Sequence, residues 1–208
     1  MADDDLIPAA TPLDEWLDRL AEGHGAPGGG AACAVMTGIS AALLGMVAAY
    51  TPDEPEAARA RERVGRIRRQ ATGAAEADGV RSAEFGAALA MEDGPERERA
   101  VRAATVEATE SSLAVGRVAA SLVDEVRLLA EIGNPNVRAD LLVAGQALAA
   151  ALGGIVATTR ADLELLAGHR TSGDGLDDAL GRAEGELREI ADVRGELARM
   201  LARLGPRG

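Results

Sequence analysis

The segment Pro27-Gly28-Gly29-Gly30-Ala31-Ala32 interrupts a chain that otherwise consists of long alanine-rich stretches. Glycine lets the backbone approach a bound molecule closely, and the first N–H groups of a following helix are free to hold an anion or a carbonyl. A second break, Gly133-Asn134-Pro135-Asn136, has the same character. We expect both segments to be loops that open into helices and contact a ligand.

The composition favours a helical protein. Apolar residues make up 47% of the 208 residues, but aromatic residues only 1%, so the core must consist of Ala, Leu and Val. Such residues suit closely packed helices, and no sustained alternation of apolar and polar residues predicts a strand. The length suits one domain, which we assign to residues 1–208. We therefore predict an all-α fold, an antiparallel bundle of about six helices.

Hydrophobic periodicity and helix-stop residues set the predicted boundaries. The six helices are predicted at about 12–22, 30–50, 56–91, 95–132, 136–167 and 176–204. Thr11 is the predicted N-cap of the first helix, and Gly133 ends the fourth. Residues 1–10 are expected to be flexible, and residues 168–175 to form a polar linker.

Glycine and alanine recur at three- and four-residue spacing in the second and fifth predicted helices. Glycine costs up to about 1 kcal/mol of helix propensity relative to alanine. Its repeated use indicates that helix axes approach closely, either in a buried helix pair or in a symmetric dimer contact.

Charge and cysteine content exclude several classes of function. The net charge is −12 and no basic stripe is present, so we expect no nucleic-acid partner. All 22 basic residues are arginine, which excludes a Schiff-base lysine. A single cysteine, Cys33, excludes a disulfide and a zinc–cysteine cluster, so we expect no metal and a cytoplasmic location.

Two stretches, 31–50 and 141–157, approach the length of a membrane span. They are dominated by Ala and Gly and contain polar residues. We expect them to be buried core helices, with no membrane partner.

Asp140 is the leading candidate for a catalytic carboxylate. It precedes a nearly all-apolar helix, and partly buried carboxylates often mark functional sites. The alternative is a first-turn residue that favours the helix dipole. Thr158 shares its face five helical turns later, about 27 Å away. If both residues matter, an antiparallel dimer brings them together or they serve opposite ends of a ligand.

The other candidates also have two interpretations. Asn134 and Asn136 are either ligand-binding residues or turn and cap residues. The glycines are either a ligand loop or a tight connection. His24 could carry a proton, but a solvated loop histidine is the more ordinary interpretation. Arginines between 59 and 69 either form a solvated face or attract an anionic ligand tail.

The two breaks resemble motifs of the cyclodeaminase/cyclohydrolase family. Pro27-Gly28-Gly29-Gly30-Ala31-Ala32 is similar to its P-G-G-G-S-A segment, and 133–140 resembles its G-N-x-N-x-x-S-D element. Met46-Val47-Ala48 and Phe85 also fall at compatible positions, with Arg81 about where an acidic residue commonly precedes the phenylalanine. The resemblance covers about residues 12–167 and implies an all-helical dimeric bundle.

The resemblance also implies an activity on the one-carbon unit of a tetrahydrofolate derivative, bound as substrate. The first hypothesis is hydrolysis of 5,10-methenyltetrahydrofolate to 10-formyltetrahydrofolate. Alternatives are formiminotetrahydrofolate cyclodeaminase, a divergent enzyme for another cyclic amidine or imine, and a non-catalytic binding dimer. The implied residues are Asp140 as catalytic group, with Pro27, Gly28, Gly29, Gly30, Asn134, Asn136 and Thr158 binding substrate.

All of these hypotheses require the two loops to converge on one polar cleft. Convergence can occur within one subunit or across a twofold axis.

Overall fold

The computed structural model describes residues 11–22, 26–168 and 176–205, and the backbone alone at 176 and 177. Within these ranges the chain forms seven α-helices and a short 3-10 turn, with no strand. The α-helices are α1 (Leu13–Leu20), α2 (Gly29–Ala49), α3 (Pro55–Leu89), α4 (Pro95–Ala120), α5 (Val123–Ile132), α6 (Arg138–Gly168) and α7 (Leu176–Leu204). The all-α prediction is confirmed. The predictions for residues 1–10, His24 and the linker after Gly168 lie outside the described residues.

One predicted helix is divided into two. The expected helix at 95–132 breaks at Ser121 and Leu122, which separate α4 from α5. Ser121 Oγ donates to the carbonyl of Val118, and the Leu122 N–H bonds to Ala119 rather than Val118. Such local bonds compete with the α-helical pattern. The break turns Leu122 and Val126 into the core, where both are fully buried.

Two predicted helix ends differ in detail. Pro12, not Thr11, is the N-cap of α1, and no side chain caps that terminus. Gly133 is the C-cap of α5 as predicted, but its φ is −66°, so the left-handed cap expected of a terminal glycine is absent. Glycine is needed there for space, because a Cβ would collide with the carbonyl oxygen of Leu129.

Helices α2 and α6 form the centre of the bundle. α2 packs between α3 and α6, and α6 also packs against α4 and α7. The glycines of α6 lie at close contacts: Gly145 lies beneath Leu201 of α7, and Gly154 touches Sγ of Cys33 on α2. The small-residue pattern thus serves a buried helix pair within one chain.

Both central helices are long and apolar enough to cross a membrane by length and composition. About half of each apolar window is buried inside the bundle, 50% for Gly29–Ala49 and 44% for Pro135–Gly168. Core helices of helical bundles meet the same test.

One ion pair fastens α5 to α3. Arg63 donates two hydrogen bonds to the carboxylate of Glu125, at 2.5 and 2.9 Å, and Glu125 is buried. This bidentate geometry satisfies both oxygens of the carboxylate.

Leu148 is completely buried in α6 at the centre of the core. We predict that Leu148→Ala lowers the free energy of unfolding by about 2–5 kcal/mol, because it removes buried apolar area and leaves a cavity. Leu89→Ala is the control, since Leu89 is 43% exposed, and should cost below about 1 kcal/mol. Urea denaturation followed by circular dichroism measures both. Equal losses would contradict the assignment of the core.

Candidate functional site

The most distinctive polar group in the bundle is the carboxylate of Asp78 on α3. It lies against the N-terminus of α2, where it accepts a hydrogen bond from the N–H of Ala31. Ser111 of α4 donates a hydrogen bond of 3.1 Å to it, and Ser82, one turn later on α3, donates another. Asp78 is 5% exposed. Three helices therefore meet at one buried carboxylate.

The glycine run makes this contact possible. A Cβ on Gly30 would lie 2.6 Å from Cγ of Asp78, and a Cβ on Gly28 would lie 3.2 Å from Oγ of Ser82. Any larger residue at Gly30 must displace the carboxylate or the start of α2. From the sequence, these N–H groups were expected to hold a ligand anion or carbonyl. The chain instead supplies its own carboxylate to one of them.

The hydrogen-bond donors that surround the Asp78 carboxylate in the described structure are all neutral. No arginine forms an ion pair with it among the described residues. Burial raises the pKa of Asp78, and the hydrogen bonds from Ser111, Ala31 and Ser82 offset this only in part. A buried carboxylate held only by neutral donors favours a proton or a bound cation.

Two further groups feel the negative charge at Asp78. Asp162 on α6 is half-buried, and burial together with the field of Asp78 raises its pKa to about 6. Burial and Asp78 also raise the pKa of the Cys33 thiol to about 11. Cys33 therefore stays protonated at neutral pH and is no nucleophile. Asp162, in contrast, changes charge near neutral pH.

Thr158 is brought to the glycine loop. A Cβ on Gly29 would lie 3.4 Å from Cγ2 of Thr158, while its hydroxyl bonds back to the carbonyls of Gly154 and Ile155. Pro27 is buried beside the loop, and Gly29 is exposed. The predicted residues of the first loop and Thr158 therefore form one cluster, and their contact with substrate stays a prediction.

The second predicted loop has a complete structural role. Asn134 donates its N–H to Oγ1 of Thr51 and its side-chain amide to the carbonyl of Tyr50, at 3.1 and 2.9 Å. Its Oδ1 accepts from the N–H of Asn136 at 2.9 Å. These bonds cap the C-terminus of α2 and fix the 3-10 turn, as the turn-and-cap interpretation predicts.

Asp140 is half-buried in the first turn of α6.

Within one chain the two loops do not converge. The glycine loop begins α2, while Asn134 binds the residues that follow its end. A helix of 21 residues is about 30 Å long, so the two loops lie at opposite ends of the bundle. The expectation of a single cleft inside one subunit is wrong, because α2 itself separates the loops. Asp140 and Thr158 lie correspondingly far apart on α6.

Asp78, Ser82 and Ser111 were not among the residues predicted from the sequence. Arg81 stands about where the family commonly has an acidic residue before the phenylalanine, and it pairs with Glu84 and Glu107 on the surface. The acid lies one turn earlier. A signal was present, since Asp78 lies among alanines and directly before Gly79, a setting that suits a buried face.

A cavity of about 330 Å³ lies beside the site, beneath α1. Its wall includes Pro27 and Gly79, the chain neighbours of Gly28 and Asp78. Trp16 of α1 covers one side, and Arg68 of α3 lines another. Arg68 makes no ion pair with any described residue. No group of three His, Cys, Asp or Glu residues that could hold a metal ion occurs in the described part of the chain.

We predict that Gly30→Ala destabilises the protein, because the methyl group must displace the buried Asp78 carboxylate. Gly65→Ala is the matched control, since Gly65 lies inside α3 with no atom within 4 Å of an added Cβ. It should stabilise the fold by up to about 1 kcal/mol through helix propensity. Thermal unfolding of both variants tests this. If the Gly30→Ala protein is as stable as wild type, the Asp78 carboxylate does not lie against the N-terminus of α2.

Known proteins resemble this chain over nearly its whole length. It is 29% identical to a methenyltetrahydrofolate cyclohydrolase of Methylorubrum extorquens over 204 residues, which cover 92% of this chain and 93% of the relative. A crystal structure of formiminotetrahydrofolate cyclodeaminase from Thermotoga maritima superposes with a TM-score of 0.80 at 24% identity, covering 94% and 96% of the two chains. The formiminotransferase-cyclodeaminase family model matches residues 12–170. The chain therefore belongs to the formiminotransferase-cyclodeaminase family, whose folate-linked cyclohydrolases and cyclodeaminases share this helical fold.

Proposed function

We propose that the protein hydrolyses 5,10-methenyltetrahydrofolate to 10-formyltetrahydrofolate at the site around Asp78. The observation that carries this proposal is the buried carboxylate of Asp78, which has no arginine partner among the described residues and lies beside a second carboxylate, Asp162. The methenyl bridge of the substrate is a cation. A preformed negative site in a desolvated environment stabilises a cation far more than water does.

The likeness to the cyclohydrolase of Methylorubrum extorquens, 29% identical over 204 residues, supports a folate-linked reaction, and we choose hydrolysis as the first candidate. The likeness to the cyclodeaminase of Thermotoga maritima, at 24% identity, supports the fold alone. Cyclodeamination of formiminotetrahydrofolate and hydrolysis of another cyclic amidine or imine are the alternatives. Each uses a positively charged C–N centre, so the same carboxylate would serve it.

The cavity beneath α1 offers space for the rest of a folate. Its wall continues directly from the site through Pro27 and Gly79. Trp16 supplies an aromatic surface, and Arg68 supplies a cation with no ion-pair partner among the described residues. We place the benzoyl ring against Trp16 and the anionic glutamate tail near Arg68.

We further propose that the site is completed across a homodimer. An exposed row of residues runs along α6, formed by Ala139, Val143, Gln146, Ala150 and Ala157. Val143 is 56% exposed on a helix whose other faces are buried. Its members are three, four or seven residues apart, that is, one or two helical turns, and a mainly apolar exposed row on a central helix is suited to pairing with a copy of itself.

The register of this row specifies the pairing. Four of its five members are symmetric about residue 148, so an antiparallel pair of α6 helices sets Ala139 against Ala157 of the partner subunit, and Gln146 against the partner's Ala150. Val143 then faces Gly153 of the partner subunit. Asp140 then lies within about one helical turn of the partner's Thr158, next to the glycine loop. This arrangement reunites the two loops that a single chain holds apart, and gives Asp140 and Asn136 a place in the site.

We assign the reaction to the cytoplasm.

We predict that Asp78→Asn reduces kcat/KM for methenyltetrahydrofolate by about 10²–10³, because it removes the charge that stabilises the cationic bridge. Asparagine keeps the shape and an oxygen acceptor for the Ala31 N–H. Loss of the methenyl absorbance measures turnover. Asp178→Asn makes the same chemical change on an exposed face of α7 and should have wild-type activity. A folded Asp78→Asn protein with wild-type kcat/KM would refute the proposed role.

Mixing two inactive variants tests the shared site. Asp78→Asn and Asp140→Ala should each be inactive alone, and co-expression with different tags should restore about a quarter of wild-type activity. Half of the dimers formed at random are heterodimers, and each contains one intact site. Activity in the mixture equal to the sum of the separate variants would show that Asp78 and Asp140 serve one chain's site or none.

A further inference from the structure

We propose that Asp162 is the proton carrier of this site, taking a proton from the attacking water and returning it to the nitrogen that leaves. This inference rests on the proposed function, because it assigns a role in that reaction. It names a residue that neither the glycine motif nor the second loop contains.

The position of Asp162 follows from the packing of α6. Thr158 lies against Gly29, and Asp162 is one helical turn later on the same face. Gly29 is exposed, and Asp78 lies directly behind Gly30. Asp162 thus stands at the solvent side of the site, whereas Asp78 is at its floor. A proton carrier needs contact with both water and the reacting group, and the half-buried Asp162 meets this condition while Asp78 does not.

The two carboxylates differ in their hydrogen bonds. Asp78 accepts bonds from Ser111, Ser82 and the Ala31 N–H, which fix it in place. For Asp162, burial and Asp78 are the only influences that shift its pKa, which lies at about 6. Carboxylates in contrasting environments commonly divide their roles, one fixed and ionised and the other exchanging a proton.

Among the described residues, Asp78 on α3 is the charged group whose field acts on Asp162. On α2, Cys33 lies against Gly154, two helical turns before Asp162, and its thiol stays protonated. α5 packs at the opposite end of α6, near Asn134. Next to Leu163, on the neighbouring face, α4 and α7 present charged groups engaged mainly in ion pairs, namely Glu107, Glu110, Arg117, Arg182 and Glu186.

Asp162 carries one proton from water to N5 in this reaction. Water forms a C–O bond to the bridge carbon of the cation and gives one proton to the Asp162 carboxylate, which leaves a neutral carbinol. The bond from that carbon to N5 then breaks, and N5 takes the proton from Asp162. The carbinol hydroxyl becomes the formyl carbonyl and releases its proton to solvent. The sum is cation plus water giving 10-formyltetrahydrofolate and one proton, with Asp162 regenerated.

The test is the pH dependence of kcat for Asp162→Asn, with Glu164→Gln as matched control on an exposed position of α6. Wild type and Glu164→Gln should lose activity as the pH falls through about 6, because the base must be ionised. Asp162→Asn should have a kcat about 10²–10³ lower, a nearly unchanged KM and no such acid limb. Asp162→Glu should retain the limb with an intermediate kcat.

Thermal unfolding checks the fold of each variant. Asp162→Asn should melt at or above the wild-type temperature at neutral pH, because it removes a negative charge beside Asp78. Wild type that hydrolyses methenyltetrahydrofolate no faster than buffer would refute the proposed function itself. Active wild type together with an Asp162→Asn protein that keeps its kcat or its acid limb would overturn only the role of Asp162.

Discussion

The contact between the Asp78 carboxylate and the N-terminus of α2 is the constraint on which the site depends. The positive end of the helix dipole and the Ala31 N–H favour a negative charge there, and Ser111 adds a donor from α4. The contact requires that position 30 lack a side chain. The Asp78 carboxylate therefore positions the start of α2, requires glycine at position 30 and makes the charge of the site negative.

That sign changes the chemistry expected of a glycine-rich helix start. Such a terminus ordinarily binds phosphate or carboxylate ligands. Here the chain's own Asp78 takes that position, and Asp162 adds a second acid, so the site favours cations. The sequence contains no lysine, and no arginine in the described part of the chain pairs with Asp78, so no described cation neutralises this carboxylate. A cationic one-carbon bridge is a natural ligand for it.

Periodicity and stop residues in the sequence predicted the helices well, because the Ala-Leu core and the Gly-Pro breaks act locally. The break at Ser121 within 95–132 was missed, because a serine followed by a leucine is also common inside helices. The hydrogen bond from the Ser121 side chain to the Val118 carbonyl and the burial of Leu122 are visible only in the structure. The glycine loop and Thr158 were both assigned to substrate binding, and only the structure shows that Gly29 lies against Thr158. Asp78 was missed because the groups around its carboxylate come from three helices. Asn134 was interpreted both ways, and its hydrogen bonds with Tyr50 and Thr51 depend on tertiary contacts that no local pattern reveals.

Cys33 offers a way to observe motion at the centre of the bundle. Its sulfur is enclosed where α2 meets Gly154 of α6, and its thiol remains protonated. A thiol reagent can reach it only when those two helices separate. The rate of covalent labelling at this single cysteine therefore reports how often helices α2 and α6 separate at the centre of the bundle.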